Sequence, residues 1–326
     1  MNNVLVIGAV GSTALTIELL LKHSFNIKGI VGHEPVNVTN VSGWSNLKQI
    51  AIDNQIDYIG YQNINTKEVL DFARDRSPEI IFAVGFSQLL GKEWFSIPKY
   101  GIIGFHPTPL PQGRGRAPIA WSVLELNDGA ATFFLMDEGA DSGAILEQEP
   151  YAIDNDDDSE SFAVKCHNAM EKALNKLLPK LKRNEWYPLP QDEKEASWYG
   201  ARRPEDGIIH WTDSAYSIDR LIKAAGRPYQ GAYTYIGTDK LSIFESEIEE
   251  NIPIKGVVGR ILLTDPKRGF LVQCGNGLIW IRDIDYKGDK QLKVGMKLDV
   301  RLEDEIISLK KEIEELWKLS GLKKQS

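Results

Sequence analysis

Residues 101–141, GIIGFHPTPLPQGRGRAPIAWSVLELNDGAATFFLMDEGAD, decide how the chain is organised. The stretch begins with an apolar run that predicts a buried strand, continues into a loop rich in proline and glycine, and ends at an acidic turn. One histidine, His106, lies where the predicted strand meets the loop. Prolines fix φ, and glycines reach conformations that other residues resist, so this backbone path is specific and costly to form. Rigid, irregular backbone after a strand is a common place for chemistry in α/β proteins, and the stretch therefore predicts a functional site.

Apolar runs and helical patterns alternate on both sides of this stretch. The runs at 4–8, 26–32 and 77–85 predict strands. The third contains the continuous apolar stretch IIFAV at 80–84, which is typical of burial on both faces of a sheet. This alternation predicts an α/β fold over residues 1–183: a Rossmann-like, mostly parallel sheet with helices on both faces. The first turn, at 8–13, lacks the full G-x-G-x-x-G pattern, which favours a plain crossover turn over a dinucleotide site.

The rest of the chain, from residue 184 to 326, has a different pattern. Residues 184–210 have mixed composition and predict a linker. From residue 211 to 326, a capped amphipathic helix is followed by five short strands with regularly spaced turns, which predicts a small OB-like β-barrel as a C-terminal domain. A last helix at about 303–319 is expected to pack on this barrel through its apolar residues, which are Ile306, Ile313, Leu316 and Trp317.

Composition limits the classes of function. No apolar run approaches the roughly 20 residues that cross a bilayer, and the N-terminus resembles a first strand more than a signal peptide, so we expect a cytoplasmic protein without a membrane partner. The net charge of −8 argues against an extended nucleic-acid-binding surface. Two cysteines and five histidines occur without metal-ligand spacing, and we expect no metal.

His106 and Asp141 form the clearest candidate for chemistry. A histidine in a rigid loop with an aspartate nearby can act as a general base with an orienting carboxylate, the nucleophile belonging to the substrate. One helix and one strand separate the two residues, and in a parallel βαβ unit such a connection would bring them to one sheet edge. The alternative is that His106 caps the strand and Asp141 caps a turn.

Two arginines in the same loop suggest an anion site. Arg114 and Arg116 lie in GRGRAP, directly before a predicted helix start. Closely spaced guanidinium groups at a helix start suit a phosphate or a carboxylate. The alternative is a solvated turn.

Several long motifs together resemble the formyltransferase family that uses 10-formyltetrahydrofolate. They are His106-Pro107 with Leu110-Pro111, then Arg114 to Ile119, Met136 to Gly143, and FAVGFSQLL at 82–90. The barrel after residue 211 is similar to that family's C-terminal domain. Further motifs, Trp121, WYGARRPED at 198–206 and PYQGA at 228–232, resemble the branch that formylates an amine on a nucleotide-linked deoxyamino sugar. The methionyl-tRNA branch matches these later motifs less well.

The resemblance implies a co-substrate, an acceptor and a set of site residues. A neutral sugar amine would attack the formyl carbon of 10-formyltetrahydrofolate, His106 would handle the proton, and Asp141 would orient the imidazole. The expected folate-binding residues are Phe86, Ser87, Gln88, Leu89, Leu90, Asp137, Glu138, Gly139 and Ala140. The expected substrate-binding residues are Arg114, Arg116, Trp121, Arg202 and Arg203.

One position departs from the family pattern. Family members normally have Asn-x-His, with the asparagine donating to the developing oxyanion, but here residue 104 is glycine. Losing an oxyanion donor typically costs roughly 100- to 1000-fold in rate, so either the enzyme is slow or another group replaces the asparagine. A backbone N–H near residue 104, an ordered water or the protonated His106 is the expected replacement.

The sequence thus predicts an N-formyltransferase of a nucleotide-linked sugar, with a 4-amino-4,6-dideoxy sugar as the expected acceptor, in the biosynthesis of surface-polysaccharide or glycan precursors. Two alternatives stay open: a methionyl-tRNA formyltransferase, and a folate- or nucleotide-binding protein that has lost catalysis. A homodimer through the barrel or the terminal helix is a further expectation.

Overall fold

The computed structural model describes residues 1–38, 41, 43–299 and 302–320, with the backbone alone at 302–305, 308 and 319–320. The chain forms two compact units that divide between residues 202 and 203. Among the described residues, no helix has both the length and the apolar character that crossing a membrane requires.

The first unit is built on a seven-stranded sheet. The strands are β1 (Asn3–Gly8), β2 (Asn26–His33), β3 (Tyr58–Tyr61), β4 (Ile80–Val84), β5 (Ile102–His106), β7 (Gly129–Leu135) and β8 (Ile145–Tyr151). Their order is β3-β2-β1-β4-β5-β7-β8. Strands β1 to β5 are parallel, whereas β7 and β8 are antiparallel to their neighbours. The predicted fold class, a mostly parallel sheet with helices, is confirmed.

The direction of β7 corrects the topology that we expected around the candidate site. His106 at the end of β5 pairs with Thr132, and Ile103 pairs with Leu135, so β7 starts at the sheet edge where β5 finishes. The connection between β5 and β7 includes the eight-residue helix α4 (Pro118–Glu125), which is about 12 Å long. The parallel βαβ connection predicted here was wrong.

Helices cover both faces of the sheet because both faces are apolar. They are α1 (Gly11–Lys22), α2 (Leu47–Asp53), α3 (Lys67–Asp75) and α5 (Ser159–Arg183). Val4 and Val6 of β1 pack with α1 and α5, whereas Leu5 and Ile7 pack on the opposite face, where α3 lies. This alternation follows from the two-residue period of a strand. The Asp158 carboxylate accepts the N–H groups of Glu160 and Ser161 and so caps α5.

The second unit is an antiparallel sheet with one helix on it. Helix α6 (Ala215–Ala225) is followed by β10 (Ala232–Ile236), β11 (Asp239–Glu249), β12 (Ile261–Asp265), β13 (Gly269–Gln273) and β14 (Leu278–Tyr286), in the order β10-β11-β14-β13-β12. Residues 297 and 299 bridge to Arg260 and Ile236, next to the two edge strands, which draws the sheet toward a barrel. All five strands predicted after residue 230 are present.

The last helix, α7 (Leu302–Ser320), is not covered as we expected. Its apolar residues Ile306, Leu309, Ile313 and Leu316 lie exposed. The prediction that this helix packs on the barrel through Ile306, Ile313 and Leu316 was therefore wrong. Their three- and four-residue spacing makes a narrow stripe, which suits another helix better than a curved sheet.

Candidate functional site

His106 ends β5 and is buried, with 5% of its surface exposed. Its Nε2–H donates to the carbonyl oxygen of Gly113 at 2.8 Å, the tautomer being assigned from this acceptor. Its Nδ1 lies 3.5 Å from Oδ2 of Asp141. The structure thus brings together the two residues that the sequence nominated as base and orienting carboxylate.

Polar side chains hold the loop after His106 in place. Thr108 Oγ1 donates to the carbonyl of Gln112, and its own carbonyl accepts from Thr132 Oγ1. The Tyr151 hydroxyl donates to the carbonyl of Pro107. Because these buried backbone oxygens have partners from neighbouring strands, the loop presents His106 in one fixed position.

The acidic loop between β7 and β8 supplies Asp141. The Asp137 carboxylate accepts from the Gly139 N–H and the Ser142 hydroxyl, which closes the turn. Gly143 is required for close approach, because a Cβ there would lie 1.6 Å from the carbonyl oxygen of Leu135. Asp141 adopts the left-handed conformation, with φ of 54°, and its Oδ2 accepts the Gly115 N–H at 2.9 Å. Aspartate tolerates this conformation better than most residues.

Gly104 is packed tightly and leaves little space for the asparagine that the family pattern calls for. A Cβ at this position would lie 2.9 Å from Phe134 Cζ and 2.9 Å from Met136 Cγ. Gly104 and His106 are two residues apart on β5 and so face the same side of the sheet. Phe134 and Met136 therefore crowd the volume next to His106 in which an asparagine side chain would begin.

A cavity of about 220 Å³ lies at the carboxyl ends of the parallel strands. The sheet order reverses between β1 and β4, which is the crevice where open α/β sheets bind ligands. The lining residues are Ala9, Val10, His33, Val41, Tyr61, Gly85, Phe86, Ser87 and Gln88. Three of the nominated folate residues, Phe86, Ser87 and Gln88, thus face a cavity.

The structure fixes the nominated folate loop through its neighbours. Gln88 Oε1 accepts the Ile64 N–H, and its Nε2 donates to the Gln62 carbonyl. Leu89 is exposed and Leu90 is half-buried. The lining residues His33 and Tyr61 were missed. His33 directly follows the run predicted as a strand at 26–32, whereas the strand that carries Tyr61 was not predicted. Burial raises the pKa of the Tyr61 phenol and keeps it neutral.

The other nominated folate residues, Asp137, Glu138, Gly139 and Ala140, are exposed on the acidic loop. Lys92, just after the folate loop, lies 3.5 Å from the Glu138 carboxylate. Met136 packs in the same apolar cluster as Phe86 and Leu90. The two nominated folate segments therefore lie beside one another.

Arg114 and Arg116 have different environments. Arg114 is buried, and its guanidinium donates to Gln191 Oε1 and to both carboxylate oxygens of Glu193. The hydrogen bond from Arg114 lowers the pKa of the Glu193 carboxyl. Arg116 is exposed, and within the described residues its guanidinium has no ion-pair partner. Only Arg116 has a free charge at the surface of this loop.

Residues 191–202 were expected to be mainly linker, yet they build part of the loop's support. A short strand β9 (Trp198–Tyr199) pairs with β6 (Arg114–Gly115), and Ser197 Oγ accepts the Gly113 N–H. The supporting roles of Gln191, Glu193 and Ser197 were missed, because nothing in their local spacing indicates a distant partner.

Trp121 and Arg202 also meet here. The Trp121 indole stacks on Tyr199 at a centroid distance of 5.6 Å and donates from Nε1 to the Gly200 carbonyl. The Arg202 guanidinium lies 5.0 Å from the Trp121 ring centroid. Arg203, the last nominated substrate residue, begins the second unit, where its N–H donates to Asp206.

Among the residues that the structure describes, no group of three or more His, Cys, Asp or Glu side chains could hold a metal ion.

Comparison with known folds places the chain among proteins of similar architecture. HypX from Aquifex aeolicus superposes with a TM-score of 0.63 at 16% identity, over 90% of this chain and 47% of HypX, so the chain spans about half of that protein's length. An N-formyltransferase from Helicobacter canadensis, solved with folinic acid and dTDP-3-aminofucose, gives a TM-score of 0.63 at 16% identity over 86% of this chain and 99% of that one. Methionyl-tRNA formyltransferase from Clostridium thermocellum superposes with a TM-score of 0.56 at 16% identity, over 88% of this chain and 99% of that one.

Family models give the more specific result. The model described as formyl transferase matches residues 45–178, and the model described as formyl transferase, C-terminal domain, matches residues 202–296. The two models follow the two units of the structure in chain order, and together they span most of the sequence. This chain belongs to the formyl transferase family.

Proposed function

We propose that the chain transfers a formyl group from 10-formyltetrahydrofolate to the amine of a nucleotide-linked deoxyamino sugar. The observation that supports this most is the contact between His106 Nδ1 and Asp141 Oδ2, at 3.5 Å, in a braced loop at the carboxyl end of β5. A base with an orienting carboxylate and no nucleophile of its own suits a reaction in which the substrate supplies the nucleophile.

The chain's own residues would manage the proton and the position of the amine. When bound, 10-formyltetrahydrofolate would supply the formyl group. The amine nitrogen bonds to the formyl carbon, the bond from that carbon to N10 breaks, and tetrahydrofolate leaves with a proton on N10. His106 takes the proton that the amine loses, and Asp141 faces the resulting imidazolium across 3.5 Å. Because the Gly115 N–H holds Asp141, the carboxylate stays in place while the ring changes charge.

The folate would occupy the switch-point crevice. The cavity is smaller than the roughly 300–1,000 Å³ typical of drug-sized ligand sites, so it takes one end of a folate rather than the whole molecule. The exposed acidic loop beside it, from Asp137 to Ala140, offers backbone groups for the remainder. Helicobacter canadensis N-formyltransferase, a similar fold, was solved with folinic acid.

The sugar nucleotide would bind on the side of Arg116. This exposed guanidinium lies directly before helix α4, whose N-terminus adds positive potential for a diphosphate. Trp121, stacked on Tyr199, fixes the neighbouring Arg202 guanidinium as a second cation. We assign Arg114 to loop support, because its hydrogen bonds to Gln191 and Glu193 leave it little capacity for a ligand.

A panel of acceptors tests this proposal. The protein is mixed with 10-formyltetrahydrofolate and nucleotide-linked sugars that bear an amine at the 3- or the 4-position, and each product is analysed by mass spectrometry. We expect a gain of one CO unit on one class of acceptor, with the 4-amino-4,6-dideoxy sugars as the favoured class. Formylation of methionyl-tRNA with no sugar product would contradict the proposal.

A binding protein without catalysis is the second candidate, and the crowding at Gly104 is the observation that favours it. The same panel separates the two functions when folate binding is measured alongside it by calorimetry. Folate binding without any formylated product would favour the inert protein. A formylated sugar, even one formed slowly, would rule that candidate out.

A further inference from the structure

The C-terminal helix α7 presents an apolar face that the described chain leaves exposed. The exposed fractions are 49% for Ile306, 53% for Leu309, 49% for Ile313 and 64% for Leu316. Four large aliphatic side chains on one helix face are more than the scattered exposed residues that need no explanation. A partner is therefore expected to cover this face.

The spacing of these residues indicates the kind of partner. From Ile306 the steps are three, four and three residues, which is the heptad pattern of a coiled coil with isoleucine at both a positions and leucine at both d positions. β-Branched residues at a with leucine at d favour two parallel strands. Ile307 falls at position b, outside this seam, and is also half exposed, at 52%.

The charges beside the seam favour a second copy of this chain in parallel orientation. By sequence register, Glu305 and Glu312 occupy g positions and Lys310 occupies the e position between them. In a parallel pair each g position faces the following e position of the partner, so Glu305 of one chain meets Lys310 of the other, twice by symmetry. An antiparallel pair would bring the g positions together and would oppose glutamate to glutamate.

We propose that α7 forms a parallel two-stranded coiled coil with the same helix of a second copy, so that the protein is a homodimer joined through its C-terminal helices. The seam is Ile306, Leu309, Ile313 and Leu316. The seam contains none of the residues assigned to formyl transfer. The proposed dimer therefore does not depend on the proposed function.

The oligomeric state of the full chain tests the proposal. Light scattering coupled to size-exclusion chromatography should give a dimer for the wild type and a single chain for Ile306→Lys/Ile313→Lys. The matched control Ile307→Lys adds a lysine at an equally exposed isoleucine beside the seam and should stay dimeric. The side chains concerned are exposed in the single chain, so each variant should remain folded and unfold in a cooperative transition. A monomeric wild type, or a double variant that stays dimeric, would overturn the proposal.

Orientation has its own test. In a parallel, in-register pair, Ile306→Cys places the two new thiols opposite each other, and mild oxidation should give a covalent dimer. Cys166 and Cys274 are buried and do not compete. Reversing the charge at Lys310 should weaken the dimer, and Glu305→Lys/Lys310→Glu should restore it. Absence of the cross-link in a dimeric variant would rule out the parallel arrangement.

Discussion

The two ring nitrogens of His106 both face oxygen atoms that can only accept hydrogen bonds. The Gly113 carbonyl accepts from Nε2–H at 2.8 Å, and the Asp141 carboxylate lies 3.5 Å from Nδ1. A ring that has taken up a second proton therefore finds an acceptor for each N–H. These acceptors would stabilise the imidazolium once a proton has been taken up.

Gly104 presents the main chemical problem of the site, because it stands where the family pattern has an asparagine that donates to the oxyanion. Met136 is unbranched and can move aside, whereas the Phe134 ring, buried opposite Gly104, cannot do so without repacking. An informative asparagine variant thus needs a smaller residue at 134. In a Phe134→Leu background, Gly104→Asn should raise kcat by less than about tenfold if another donor already stabilises the oxyanion. Phe134→Leu alone is the control. A rise of about 100-fold or more would show that the natural site lacks that donor.

The two loop arginines should behave differently when removed. Arg116→Ala should raise the KM for the sugar nucleotide by roughly 10- to 100-fold with kcat near wild type, because hydrogen bonds to charged groups contribute about 1.5–3 kcal/mol. Arg114→Ala should instead lower the unfolding temperature, since it removes the buried contacts to Gln191 and Glu193. Arg183→Ala, at an exposed arginine paired with Glu185, is the control for lost charge. Equal KM effects of Arg114→Ala and Arg116→Ala would contradict this division.

At the scale of elements, the sequence predicts strands better than it predicts their direction. The apolar run at 131–136 indicates a strand whichever way it runs, and nothing in that run indicates that β7 pairs antiparallel with β5. Asp141 nevertheless reaches His106, because the loop of residues 136–144 turns back toward β5. Gln191 and Glu193 contact Arg114, which is far away in the sequence, and no local sequence pattern indicates such a contact.

The second unit contains an element whose stability should depend on pH. Glu249 at the end of β11 accepts from Trp280 Nε1–H, from the Asn251 N–H and from Arg268, and these contacts lower its pKa from 4.5 to about 2. A carboxyl whose pKa falls on folding stabilises the protein above its unfolded pKa and loses that contribution as the pH falls through its folded pKa.

Urea unfolding of Glu249→Gln tests this linkage. The variant should be less stable than the wild type at neutral pH, and the difference should shrink as the pH falls from 4.5 toward 2. Glu245→Gln, at an exposed glutamate paired with Arg282, is the control and should change little. A difference that stays constant from neutral pH to pH 2 would show that the Glu249 charge does not stabilise this unit.

At the scale of the whole molecule, fold class and family were within reach of the sequence, because long ordered motifs such as residues 136–143 specify both. The exposure of α7 could not be predicted from the sequence, because the same amphipathic pattern fits packing on a sheet and pairing with another helix. The crowding at Gly104 could not be predicted either, because it depends on Phe134 of β7 and on Met136 directly after that strand.

The proposal that this chain formylates a sugar amine with His106 and Asp141 requires a direct test of the chemical step. It is tested most directly by single-turnover formyl transfer from 10-formyltetrahydrofolate to the best nucleotide-sugar acceptor, followed by mass spectrometry, in the wild type, His106→Ala and Asp141→Asn. His210→Ala, at an exposed histidine of the second unit, is the control. We expect transfer by the wild type and the control, and rates lower by about 100- to 10,000-fold in the two site variants, each of which should remain folded at the assay temperature. Wild-type rates in either site variant, or no transfer by the wild type to any sugar amine, would contradict it.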